Sequence, residues 1–166
     1  MEYRIRQAAA EDADAVVRMH TQAHEECYGH LLPLEFFEGR RASIPERVTR
    51  RRPYLESTEP RIIALDENDE IVGFADAGPG RDEDRSQELE LYSIYTLSRT
   101  YGTGLGAALL TAALADSAAY LWVLEDNPRA RAFYEKYGFQ ADGKRAVLPP
   151  AWHALPELRM VRPALH

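Results

Sequence analysis

Ile94-Tyr-Thr-Leu-Ser-Arg-Thr-Tyr-Gly-Thr-Gly-Leu-Gly-Ala-Ala-Leu-Leu110 is the stretch whose reading decides the fold. A β-branched and aromatic run leads into glycines at alternate positions, Gly102, Gly104 and Gly106, and an alanine- and leucine-rich helical segment follows at once. Glycine lets the backbone turn sharply and approach a ligand closely. The first turn of the following helix adds N–H donors without intrahelical partners and a partial positive charge. The backbone amides of Gly102, Thr103, Gly104, Leu105, Gly106 and Ala107 therefore make a cradle for phosphate or pyrophosphate that needs no lysine.

Working outward, the pattern alternates helices and strands. Tyr3 to Gln7 reads as a short strand, and Ala15, Val16, Met19, Ala23 and Cys27 recur at helical spacing between Glu11 and Tyr28. The acidic pair Glu11-Asp12 suits the start of that helix. A second helical region runs from Leu34 to Leu55, interrupted at Ser43-Ile-Pro45. Arg61–Leu65 and Ile71–Ala75 read as strands joined by Asp66-Glu-Asn-Asp-Glu70, a hairpin. A charged loop follows from Gly78 to Ser86, then a strand from Glu88 to Leu97, a helix from Leu105 to about Ala119, and a short strand from Tyr120 to Leu124. The next helix has an N-cap at Asn127, proline at its first position (Pro128) and glycine just past its end (Gly138). Phe139 onward and Leu155 to Val161 read as closing strands. This order implies an α/β (α+β) fold, a mixed sheet flanked by helices, in a single domain.

The bulk properties narrow the functional classes. With 166 residues the chain can bury roughly 70% of its unfolded surface. Its 20 basic and 27 acidic residues leave a net charge of −7, which does not suggest a nucleic-acid partner. Arg47-Val-Thr-Arg-Arg-Arg52 is the local exception. It reads first as a solvated helix face whose arginines lie over apolar neighbours, and second as a contact for cofactor phosphates or an acidic substrate. The single cysteine, Cys27, excludes an internal disulfide and fits a reducing compartment. With no signal core and no long apolar run, the expectation is a cytoplasmic chain without a membrane partner.

Three cofactors compete for the glycine loop. A nucleotide kinase would need Gly-Lys-Ser/Thr after the glycines, and none follows. Gly102-x-Gly104-x-x-Ala107 meets the relaxed dinucleotide fingerprint, with Glu125 about 20 residues on. Against that reading, the loop falls late in the chain and the preceding strands are joined by a hairpin, which gives an antiparallel sheet. The third reading rests on Asn127-Pro-Arg-Ala-Arg-Ala-Phe-Tyr-Glu-Lys-Tyr-Gly-Phe139, in which Asn127, Ala130 and Tyr134 share one helix face.

Taken together, Glu88 to Phe139 closely resembles the GNAT superfamily of acetyl-CoA-dependent N-acetyltransferases. There a strand, a Gln/Arg-Gly-x-Gly-x-Gly/Ala loop, a helix and a strand precede Asn-x-x-Ala-x-x-Phe-Tyr and Gly-Phe. The resemblance implies a mostly antiparallel twisted sheet whose parallel pair splays to hold acetyl-CoA (coenzyme A). It also implies direct acetyl transfer to an amine in a ternary complex. One departure stands out: Tyr101 replaces the usual Gln or Arg before the glycines. Tyr101 stays among the implied cofactor contacts, with the loop amides as the main ligands; Arg99 reads first as an exposed arginine and second as a replacement for the missing charge.

The resemblance further places oxyanion and pantetheine contacts on backbone amides near Thr96 and Leu97, and cofactor contacts at Asn127 and Ala130. Tyr134 becomes the acid for the departing thiolate, with packing against the cofactor as its alternative. An alkyl ammonium must lose a proton before it can attack, so a general base is needed. Glu88, Glu90 and Tyr92 share a strand face by its period of two. Glu90 holds the position of a catalytic glutamate in several family members, with a water wire to Glu88 or a tyrosine as the rival arrangement. Tyr28, His30, Glu88 and Tyr92 are the implied acceptor-site residues, with Phe36 and Phe37 read as core. His20 and His24 are i, i+4 on a helix but lack a third ligand and an HExxH motif, so no metal is expected. The implied acceptor is a small-molecule or peptide amine, and homodimers are common in the family. The alternative function is a non-catalytic acyl-CoA-binding or sensing module.

Overall fold

The computed structural model describes residues 2–165. Its elements are β1 (Arg4–Gln7), α1 (Ala13–Tyr28), α2 (Leu34–Ala42), α3 (Ile44–Leu55), β2 (Arg61–Leu65), β3 (Ile71–Pro79), β4 (Leu89–Thr96), α4 (Leu105–Leu114), β5 (Ala119–Leu124), α5 (Pro128–Lys136), β6 (Gln140–Val147) and β7 (Pro156–Arg162). The strands take the order β1-β2-β3-β4-β5-β7-β6 in one mixed sheet. The neighbours β1/β2, β2/β3, β5/β7 and β6/β7 run antiparallel. The parallel pair is β4/β5, with Leu89–Leu91 against Ala119–Leu121. Parallel neighbours need a crossover, and α4 supplies it.

Contacts divide the chain into two compact units. One comprises the residues up to Asp76 with Ser93–Ala113; the other comprises Ala77–Tyr92 with the residues from Leu114 onward. The first unit packs Val16, Ile63, Phe74 and Leu109 at its centre. Helix α1 buries Ala13, Val16, Val17, Met19, Ala23 and Tyr28 at helical spacing; Ala15, expected on that face, is exposed, and Val17 takes its place. The break between α2 and α3 falls at Ser43, as the sequence implies, with Pro45 in the first turn of α3. The β2–β3 hairpin is organised by Asp66. One of its carboxylate oxygens accepts the N–H groups of Asn68 and Glu70, at 2.9 and 3.1 Å.

The second unit buries Tyr120, Leu121, Phe139 and Met160. It also buries Arg162, whose guanidinium donates to the carbonyls of Ser117 (3.0 Å) and Ala115 (2.8 Å) and lies over Phe139. Those carbonyls stand where the helix that began at Leu105 has already stopped. Helix α4 ends at Leu114, five residues before the expected end, because Ala115 turns left-handed at φ 48°. Helix α5 keeps its expected limits: the Asn127 side chain accepts the Ala130 N–H at 3.2 Å, Pro128 follows, and Gly138 sits past the end at φ 94°. Phe133 is half-buried, with its ring edge-on to Tyr134 and tilted against Tyr137.

Gly138 gives the fold its sharpest test. A left-handed backbone costs an L-residue roughly 1–2 kcal/mol, and an added Cβ would come 3.4 Å from Leu165. Gly138→Ala should therefore lower stability by about 1–2 kcal/mol in denaturant unfolding.

Candidate active site

The glycine loop lies in the first unit and is pinned at both ends. The Leu97 N–H donates to the Val72 carbonyl at 3.0 Å, and the Leu97 carbonyl accepts the Thr100 N–H and hydroxyl at 2.9 and 2.7 Å. The Thr103 hydroxyl donates to the Thr100 carbonyl and accepts from the Tyr3 hydroxyl. Glu26 of α1 takes both the N–H and the hydroxyl of Ser98. On this frame Gly102 and Gly104 adopt φ 79° and 86°, and an added Cβ would meet nothing within 4 Å at either. Backbone conformation, not lack of space, selects glycine there. The earliest backbone bond of α4 into the loop is Ala108 N–H to Gly104 carbonyl, 3.1 Å. The first-turn N–H groups before it are left for an external acceptor.

Leu97 was expected to offer its amide to the acetyl group, but that N–H is already bonded to Val72. Successive strand amides point to opposite sides, so the Thr96 N–H is directed away from β3. Arg99, read first as an exposed arginine and second as a replacement for the charge lost at Tyr101, donates to Asp66 at 2.9 Å and Glu70 at 3.2 Å, so it secures the β2–β3 turn. That hydrogen bond is also the main reason the Asp66 carboxyl lies below its ordinary range.

Beside the loop frame, α1 and the sheet enclose an aromatic cluster. His20 Nε2 and His24 Nε2 are 2.8 Å apart, and the His20 ring meets Phe74 and Tyr95 at centroid distances of 4.9 and 4.8 Å. The hydroxyls of Tyr28 and Tyr95 are 3.1 Å apart. Burial, then the Arg40 and Arg47 guanidiniums, push the His24 imidazole down to about 3. His20 is lowered well below its usual value by burial, His24 and the same arginines with Arg51. Burial also raises the Tyr95 phenol to about 12. Both imidazoles are therefore neutral at pH 7. Tyr28, an expected acceptor residue, belongs to this cluster, whereas His30 is exposed in the turn after α1. Phe37 is buried and Phe36 half-buried. By sequence His20 and His24 read only as a helix-face pair, and their i, i+4 spacing was the signal that could have marked them.

In the second unit, Glu90 is 2% exposed. One of its oxygens accepts the Arg81 N–H (3.0 Å), Arg81 Nε (3.3 Å) and the Tyr120 hydroxyl (2.8 Å), and the other accepts an Arg81 terminal nitrogen (2.7 Å). Burial would raise this carboxyl, but the Arg81 and Tyr120 bonds outweigh it and hold it below the usual range. A carboxylate with both oxygens occupied is a poor proton acceptor. In this geometry the expected base anchors the start of the loop that follows β3. Glu88 precedes β4, is exposed and pairs only with Arg85 at 3.4 Å, so it does not share the buried face of Glu90. Tyr92 donates to the Pro79 carbonyl at 2.5 Å, beneath the Arg81 guanidinium.

The same unit contains an open pocket of about 450 Å³ lined by Asp82, Glu83, Asp84, Trp122, Lys144 and Ala146. Its charges are largely matched. Arg159 binds Asp82, Asp84 and Asp142 at 3.0, 2.8 and 2.6 Å, Lys144 binds Asp84 at 2.9 Å, and the Trp122 N–H donates to Asp82. On α5, Asn127 caps the helix, Ala130 is half-buried, and Tyr134 is 8% exposed against Phe133 and Phe139.

The sequence and fold both have known counterparts. Residues 13–139 match the acetyltransferase (GNAT) family. The uncharacterized N-acetyltransferase YuaI of Bacillus subtilis is 29% identical over 139 residues, which cover 80% of this chain and 78% of that protein. The PaiA N-acetyltransferase of Thermoplasma acidophilum, solved with coenzyme A, superposes with a TM-score of 0.69 at 16% identity, covering 98% of this chain and 99% of the other. A phosphinothricin acetyltransferase of Sinorhizobium meliloti, solved with AcCoA, gives 0.68 at 22% identity, covering 99% and 89%.

The neutral imidazoles give stability a pH dependence of definite sign. His24 moves from 6.5 in the unfolded chain to about 3 in the folded one. Between those values the unfolded state binds more protons, so stability falls as pH drops through that window. Between pH 6.5 and 5, above the carboxylate range, His24 should contribute up to about 1.4 kcal/mol of loss per pH unit. His24→Gln should flatten that slope in denaturant unfolding.

Proposed function

Given that the chain belongs to the GNAT acetyltransferase family, we propose direct transfer of the acetyl group from acetyl-CoA to a bound amine, without a covalent enzyme intermediate. The chain is an N-acetyltransferase that uses acetyl-CoA. The observation that carries the cofactor assignment is the loop: two left-handed glycines in open space lead into the unpartnered first-turn amides of α4. These residues fit a pyrophosphate, which needs several convergent N–H donors more than it needs a lysine. Bound there, acetyl-CoA supplies an activated thioester. The Tyr101 and Thr103 N–H groups, expected among the ligands, are bonded to the carbonyls of Ser98 and Thr100 at 3.1 and 3.3 Å, so on this reading the amides of Gly102 and of Gly104 to Ala107 hold the pyrophosphate, and Asn127, Ala130 and Tyr134 contact the cofactor.

The developing oxyanion and the leaving thiolate each then have a residue. The Thr96 N–H, directed away from β3, donates to the oxygen on which negative charge develops. The Tyr134 hydroxyl protonates the departing thiolate. Arg81 holds Glu90 as the anchor of the loop at residues 80–88, and the amine proton passes to water. The acceptor is a small-molecule or peptide amine. On this reading Tyr28 contacts the acceptor, and the setting is cytoplasmic. Among the described residues, no helix is long and apolar enough to cross a membrane.

Gly104→Ala forces an L-residue to a φ of 86°. It should weaken acetyl-CoA binding about tenfold in calorimetric titration, equivalent to about 1.4 kcal/mol. An unchanged affinity would remove the loop from the cofactor site. Tyr134→Phe should lower kcat at least tenfold while leaving acetyl-CoA affinity within about twofold. An unaltered kcat would reject the acid role.

A further inference from the structure

The basic run Arg47–Arg52 does not behave as one solvated face. Arg50 and Arg52 are exposed, but Arg47 is 9% exposed and the Arg51 side chain 16%. Among the described residues Arg47 reaches only neutral acceptors: the Thr21 hydroxyl on α1, the Ser43 hydroxyl at 3.1 Å and the Arg40 carbonyl at 2.9 Å. The last two lie at the C-terminal end of α2, whose dipole offsets part of one charge. Arg51 gives one terminal nitrogen to both oxygens of Asp76, at 3.1 and 2.8 Å, and its guanidinium lies over Phe74 and Tyr54. Its Nε is buried with no acceptor.

Asp76 is the buried carboxylate facing this group, and Arg61 acts on it as well as Arg51. Among the described residues the neighbouring wall adds no negative charge. It consists of the neutral His20–His24 pair and the hydroxyls of Tyr28 and Tyr95, within the field of Arg40, Arg47 and Arg51. A buried cation without a counter-ion is costly. Arg159 meets that cost with three carboxylates and Arg81 with Glu90, whereas the buried Arg162 meets it with the carbonyls of Ser117 and Ala115.

We propose that Arg47 and Arg51, with the α1 surface around Thr21, His20 and His24, form a binding site for a compact oxyanion carried by the acceptor amine. The assignment to the acceptor rests on the acetyltransferase reading. The substrate class is then a small amine bearing a carboxylate or phosphonate. A guanidinium presents parallel N–H groups that match such an anion in geometry and charge. This is the opposite of what the chain's net charge of −7 would favour.

Two measurements test the proposal separately. In the first, inorganic phosphate is titrated into the protein at pH 7 without acetyl-CoA, and the side-chain NMR signals of His20 and His24 are followed. A saturable shift with millimolar affinity is expected, weakened at least tenfold in Arg51→Gln and Arg47→Gln and partly restored in Arg51→Lys and Arg47→Lys. The lysine variants keep the charge if a glutamine variant fails to fold. No saturable shift, or equal affinity in all folded variants, overturns the site.

In the second, glycine, β-alanine and 2-aminoethylphosphonate are compared as acceptors with glycinamide, β-alaninamide and ethanolamine. The anionic members should show at least tenfold higher kcat/KM, with phosphate competing against the amine. Equal or better turnover of the uncharged members overturns the assignment to the acceptor. Absence of turnover on every amine, with acetyl-CoA still bound, would instead count against catalysis, and the phosphate titration would decide the site alone.

Discussion

The hydrogen bond from the Leu97 N–H to the Val72 carbonyl fixes where strand gives way to loop, and the cofactor chemistry depends on that boundary. It holds the end of β4 to β3 and settles which amides remain available. With Leu97 committed and its carbonyl turned onto Thr100, the chain must enter a tight turn before α4. The left-handed glycines make that turn possible, and the helix start exposes its amides. One backbone bond thus separates the donors that the strand uses from those that the loop leaves open.

Around this boundary, charged side chains act as guy-lines more than as reactants. Arg99 ties the segment to the Asp66 turn, and Glu26 ties it to α1. In the second unit Glu90 does the same for the loop after β3, and Arg159 gathers three carboxylates from that loop and β6. Preorganised sites need such supports, because a donor held by its neighbours loses little entropy when charge develops beside it.

The segments legible in the sequence are those whose signals are local. Gly102 and Gly104 marked the loop, and Asn127, Pro128 and Gly138 marked α5, because capping and positive φ act within a few residues. The end of α4 was not legible: Ala115 adopts a left-handed turn without the glycine or asparagine that announces one. Nor was the state of Glu90, since strand alternation gives a face but not the arginine that fills it. Leu97 was misread because its partner lies on another strand. The sorting of Arg47 and Arg51 from Arg50 and Arg52 depends on where α3 meets α1, a packing fact that a run of like charges does not encode.

That sorting bears on how specificity can arise in a chain of net negative charge. Exposed charges are screened within about 8–10 Å at ordinary ionic strength, so the acidic surface acts mainly on encounter and solubility. Buried charges are screened much less. A guanidinium without a buried counter-ion penalises every acceptor that leaves it unmatched, whereas the matched pairs around Arg159 penalise none. Selectivity therefore resides where charge is both buried and uncompensated. In the unit that carries the glycine loop, that place is the contact of α3 with α1, and its sign is opposite to that of the surface.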